Sequence, residues 1–252
     1  GIFLLVYIIL ALTFGYTLIM AETSLGRMTR KSPVGAFESF GNSRFISIGG
    51  WINAIIPILI VPYYSVIGGW VIKYLIEYFA GHSKTLAGDA YFTTFISNGW
   101  STEICFIIFT LFTLGIIYAG VRNGIERVSK FMMPILIVLS LIIAVYSVTR
   151  PGAIEGVKYF LVPNFDHFSW MTVVSAMGQM FYSLSIAMGI LVTFGSYMKK
   201  DVSIEGSTQN VEIFDTAIAM MAGLMIIPAV FAFSGGDPDT LQAGPALMFI
   251  TI

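Results

Sequence analysis

From Phe168 to Met198 the chain reads FSWMTVVSAMGQMFYSLSIAMGILVTFGSYM, without one charged side chain. As an unbroken helix this stretch would run roughly 45 Å, against a bilayer hydrocarbon core of ~30 Å. Near its middle stand small and polar residues, Ser183-Leu184-Ser185-Ile186-Ala187-Met188-Gly189, a poor composition for a helix that only faces lipid. Two half-helices joined by unwound residues would resolve this. The first would end in free carbonyls, which suit cations and ammonium groups, and the second would begin in free N–H groups, which suit anions. One long tilted helix, its serines bonded back to its own carbonyls, is the other solution. This stretch alone leaves both open.

Five further apolar runs flank it, and with 57% hydrophobic and 11% charged residues the chain belongs in a membrane. Backbone polar groups in lipid must be satisfied internally, so the runs predict an all-α membrane protein of six transmembrane helices. The spans are expected at about 1–24, 46–79, 103–121, 131–149, 168–198 and 211–235, in a single transmembrane domain. Pro57 and Pro62 are available kink sites in the second. Nine basic residues, in 27–45, 122–130 and 199–210, fall on one side of this topology, and only Lys73, Lys84, Arg150 and Lys158 on the other. The richer side is cytoplasmic. Both chain ends lie inside apolar stretches, so a piece of a longer protein is expected, and no targeting signal can be read. Cys105 reads as a small core hydrophobe, His82 and His167 as solvated loop residues, and most of the four tryptophans as an interfacial belt.

No basic tract points to nucleic acid, and HExxH, GxSxG, P-loop and Cys/His metal spacings are absent. The expectation is therefore that the chain is not an enzyme. Intramembrane acids are few. Glu77 is expected to pair with Lys73 one turn earlier. Glu22, in AETSLGR, reads on hydropathy as a helix-end acid at the headgroup level. Asp215, in EIFDTAIAMM, reads either as a helix-entry acid or as a carboxylate drawn inward, which would need a cation or a hydrogen-bond cage. Tyr63-Tyr64 lie well inside the second span, so one hydroxyl faces either a polar cavity or a neighbouring helix carbonyl.

Taken together, VYIILALTFGYTLIMAETSLGR, IVPYYSVIGGW, GIERVSKFMMPIL, MGQMFYSLSIAMG, AGLMIIPAVFAF and GPALMFITI resemble, in order, segments of the neurotransmitter:sodium symporter family, especially its bacterial amino-acid transporters. The resemblance covers the family's second to seventh helices. It implies part of an inverted-repeat, broken-helix transporter fold in the inner (plasma) membrane, completed by the remaining helices of the same transporter. By resemblance, Phe168–Met198 is the broken helix. Carbonyls around Tyr182, Ser183 and Ser185 would meet a substrate ammonium group, and Tyr64 its carboxylate. Ile60, Tyr182, Ser185 and Met188 would line the side-chain pocket. Gln179 would be an outer-gate residue, and Glu22 would buttress the unwound stretch, against its hydropathy reading. Ser183 and Asp215 would bind sodium, the co-transported ion. Tyr7, Gln179 and Ser183 match three ligands of the family's chloride site, but the asparagine position reads Asp215 and the second serine Ala219. A fixed carboxylate there would replace the anion.

The implied function is chloride-independent, sodium-coupled symport of an amino acid by alternating access. The alternative from another class is a non-transporting membrane receptor or scaffold relative, or an inactive truncated fragment.

Overall fold

Across residues 1–41, 43–86, 88, 90–233 and 249, which the computed structural model describes, the chain forms twelve α-helices and no strand. These are α1 (Ile2–Leu10), α2 (Tyr16–Thr29), α3 (Pro33–Glu38), α4 (Arg44–Phe79), α5 (Ser83–Leu86) and α6 (Tyr91–Ser97). The rest are α7 (Gly99–Tyr118), α8 (Arg127–Val148), α9 (Ala153–Leu161), α10 (Trp170–Ser183), α11 (Ile190–Tyr197) and α12 (Ile204–Phe233). A π-helical turn, Ala11–Gly15, joins α1 to α2 within one span, and another, Val121–Glu126, leads into α8. Five segments are long and apolar enough to cross a membrane: Ile2–Thr29, Arg44–Phe79, Gly99–Tyr118, Asn123–Val148 and Ile204–Ala232. The remaining apolar run is divided between α10 and α11.

The fold differs from the sequence expectation in its details. α4 runs unbroken through Pro57 and Pro62. Inside a membrane, local adjustment satisfies the one carbonyl a proline leaves free. α12 begins at Ile204 rather than near 211, taking in the polar IEGSTQN stretch. The expected loops hold short helices α3, α5, α6 and α9. Helix α3 starts where Ser32 caps Gly35 N–H and Pro33 fills the first turn. Residues 234–235 of the sixth expected span, and GPALMFITI apart from Phe249, lie outside the described residues.

The chain divides into two compact units, Gly1–Leu59 with Ala144–Gly236, and Ile60–Ile143 with Asp237–Ile252. In the first, Tyr7, Ala11 and Ile19 pack with Ala176, Met180, Leu184 and Ile186 as one buried cluster. Small residues bring helices into backbone contact there. A Cβ at Gly26 would lie 1.9 Å from the Val192 carbonyl oxygen, and one at Gly195 would lie 2.3 Å from that of Thr23. Helices α2 and α11 therefore touch main chain to main chain. In the second unit, Trp70 meets Phe92 and Phe249 edge-on, at 5.1 and 5.7 Å between ring centroids. Trp70 thus belongs to a packed aromatic group. Glu77 accepts from Lys73 Nζ at 2.6 Å, as the sequence suggests, and also contacts His82 Nδ1 at 2.7 Å.

Candidate functional site

Helix α10 closes at Ser183 with a tight turn, in which Ser185 N–H donates to the Tyr182 carbonyl at 3.3 Å and Ile186 N–H to that of Phe181 at 2.9 Å. Among the described residues no main-chain N–H reaches the carbonyls of Ser183, Leu184 or Ser185. Three residues then take left-handed backbone conformations: Ser185 (φ 56°), Ala187 (φ 60°) and Gly189 (φ 67°). For the serine and the alanine this conformation costs about 1–2 kcal/mol each. Helix α11 resumes at Ile190. The Phe168–Met198 run is therefore interrupted, and the single tilted rod is excluded.

Side chains from other helices hold the interruption open. Glu22, on α2, accepts the Ala187 N–H with Oε1 at 2.7 Å. Asn53, on α4, accepts the Gly189 N–H with Oδ1 at 3.1 Å, while its own amide donates to the Gly49 carbonyl at 3.0 Å. Gly189 has no room for a side chain, because a Cβ would lie 2.8 Å from the Pro33 ring and 2.9 Å from the Asn53 carbonyl oxygen. Leu184 and Ile186, both buried, anchor the turn in the core. Glu22 is thus not a headgroup acid. Its hydropathy reading fails because its polar partner is a main-chain amide, which a hydropathy profile does not register.

At the edge of the break Ser183 Oγ donates to Asp215 Oδ2, on α12, at 2.7 Å. Tyr7, 4% exposed, brings its hydroxyl close to both groups without forming a hydrogen bond of standard geometry. One carboxylate and two hydroxyls, gathered at depth in membrane-spanning helices, make a set of hard oxygen donors for a cation. Asp215 therefore points inward, the second of its two sequence readings.

The other expected residues are more dispersed. Tyr182 and Ser185 stand on either side of the end of α10. Met188 lines a cavity of about 330 Å³ with Pro33, Asn53, Pro57 and Phe194. Gln179 is exposed on α10. Ile60 and Tyr64 lie on the part of α4 that belongs to the second unit, where the Tyr64 ring meets Tyr63 edge-on at 5.9 Å. Asn53 was not anticipated. Its only signal is an amide side chain within an apolar run, and without the fold nothing shows which face it occupies.

The model of the sodium:neurotransmitter symporter family matches residues 1–106 and 94–251. Over 255 residues the chain is 33% identical to YhdH, an uncharacterized sodium-dependent transporter of Bacillus subtilis, with all of this chain and 56% of that protein covered. It is 30% identical over 262 residues to an uncharacterized sodium-dependent transporter of Haemophilus influenzae, covering 99% of this chain and 56% of that one. The chain thus spans about half the length of the curated relatives it matches. Its fold aligns over its whole length with 57% of MhsT, crystallised in complex with L-phenylalanine, at a TM-score of 0.90 and 35% identity.

Proposed function

The chain belongs to the sodium:neurotransmitter symporter family, and from that premise we propose that the whole protein couples the inward gradient of sodium to uptake of an amino acid by alternating access. One observation carries the reading: the interruption at 184–189, with the Ser183–Asp215 pair at its edge. Unbonded carbonyls at the end of α10 accept the substrate ammonium group, and Tyr64 meets its carboxylate. Sodium sits between Ser183 and Asp215 and supplies part of the carboxylate's counter-charge, so each ligand strengthens binding of the other. Ile60, Tyr182, Ser185 and Met188 form the side-chain pocket, and its apolar members suit a large aliphatic or aromatic substrate. The fold's likeness to a protein crystallised with L-phenylalanine supports the aromatic choice. Gln179 and Tyr182 act at the outer gate, and Glu22 buttresses the break. Tyr7 completes the oxygen set around Asp215, whose fixed charge takes the place of chloride.

The test is uptake of radiolabelled L-phenylalanine by the whole protein in proteoliposomes. Replacing external sodium with potassium is expected to lower the initial rate at least ~10-fold, because the coupling ion is lost. Replacing chloride with gluconate leaves it unchanged. Uptake indifferent to sodium would overturn the reading, and uptake stimulated by chloride would overturn the role of Asp215.

A further inference from the structure

Helix α11 is fixed to α2 along its length. A Cβ at Gly26 or at Gly195 would run into the opposing main chain, and Val192 is fully buried. At the far end of α11, Arg30 Nη1 donates to the Ser196 carbonyl at 3.0 Å, and Arg27 donates to the carbonyls of Lys200 and Val202 just beyond. Two helices with no room between their backbones, and with charge-assisted bonds at one end, move together.

The meeting of α11 with α4 is of another kind. Ala54 and Pro57 of α4 face Ile190 and Phe194 of α11 across the cavity of about 330 Å³. The polar link is the bond from the Gly189 N–H to Asn53 Oδ1, at 3.1 Å. Gly189 is the N-cap of α11, so its N–H is a donor that the helix itself leaves unpaired. Asn53 Nδ2 donates to the Gly49 carbonyl one turn back, at 3.0 Å, which turns Oδ1 toward Gly189.

Two amides of the break are thus held by different bodies. The Ala187 N–H goes to Glu22 on α2, a bond internal to the α2–α11 pair. The Gly189 N–H goes to Asn53, and that bond crosses from the pair to α4. Asn53, Pro57 and Ile60, at spacings of four and three, share one face of α4. Asn53 stands two turns before Ile60, roughly 10 Å toward the Arg44 end of the helix. The distribution of basic residues makes that end cytoplasmic.

We propose that Asn53 is a latch on the cytoplasmic side of the substrate pocket. Its bond to the Gly189 amide ties the α2–α11 pair to α4 in the closed arrangement, and its release lets α11 part from α4 as the substrate leaves toward the cytoplasm. Asn53 is a positioning residue, acting through the Gly189 main chain. One such bond has a small net worth, so its loss shifts the balance of closed and open forms about 2- to 10-fold rather than abolishing either.

The inference rests on the reading of the whole protein as an alternating-access carrier, and the test separates the two. A membrane-impermeant maleimide is applied to inside-out vesicles holding the whole protein with Phe194→Cys, its native cysteines replaced by serine, without sodium or substrate. Asn53→Leu is expected to speed modification about 2- to 10-fold. Asn53→Asp keeps an acceptor for the Gly189 N–H and is expected to stay within about twofold of wild type. In uptake assays without the added cysteine, Asn53→Leu raises KM for L-phenylalanine by a similar factor and does not lower kcat, whereas a merely structural lesion lowers kcat. Asn53→Ala takes the place of the leucine variant if that one fails to fold. Unchanged modification in Asn53→Leu or its substitute, or equal acceleration in Asn53→Asp, overturns the latch. Sodium-indifferent uptake by the wild type would overturn the carrier reading instead, and the modification rates, taken without sodium, would still decide whether Asn53 holds α11.

Discussion

Asp215→Asn is expected to raise the sodium concentration for half-maximal uptake by about 10- to 100-fold in chloride-free medium. The substitution keeps the side chain's size and its capacity to accept from Ser183 Oγ, now at 2.7 Å, and removes only the charge. Two unit charges 4 Å apart attract by about 4 kcal/mol at the effective dielectric of a protein site. Desolvation of the pair takes back part of that, and a net loss of about 1.5–3 kcal/mol corresponds to the stated range. The sign of the chloride effect follows from the same charge. With aspartate in place, an added anion is repelled. With asparagine, chloride placed near Tyr7, Gln179 and Ser183 restores part of the lost affinity. Sodium titrations of initial uptake with and without chloride check both statements. A variant with wild-type sodium dependence would show that Asp215 is not the counter-charge.

Glu22→Leu is expected to reduce amino-acid affinity ~10-fold or more, and Glu22→Gln to stay within about threefold of wild type. The wild-type carboxylate satisfies the Ala187 amide at 2.7 Å, in a segment where Ser185 and Ala187 both hold positive φ. Leaving that buried N–H unpaired costs about 1–3 kcal/mol, on top of the strain already stored in the turn. The glutamine carbonyl oxygen can still accept, so the pair of variants separates the hydrogen bond from the charge. Equilibrium binding of labelled L-phenylalanine to the whole protein measures it. Equal losses in both variants would assign Glu22 an electrostatic role, and no loss in either would remove it from the support of the break.

The sequence shows the membrane class, a question of how much apolar length the chain offers, but its polar residues at 183–189 leave a broken and a tilted helix both open, and only the resemblance points to the break. The resemblance brought Ser183, Asp215 and Tyr7 to one place, and the fold sets them together. Neither Asn53 nor Glu212 was legible. Asn53 is one amide in an apolar helix, and only the meeting of α4 with α11 reveals that it receives the Gly189 amide. Glu212 stands at the very start of the sixth expected span, and only the packing of α12, which extends back to Ile204, shows it buried. The π turn at Ala11–Gly15 left no mark in ALTFG.

The account turns on main-chain carbonyls at the end of α10 gripping an amino acid beside sodium. A density map of the whole protein with sodium and L-phenylalanine tests this most directly. The account predicts the substrate nitrogen within hydrogen-bonding distance of the carbonyls of residues 182–185, and a cation between Ser183 and Asp215. Phenylalanine bound away from that break, or continuous helix through residues 184–189, would contradict it.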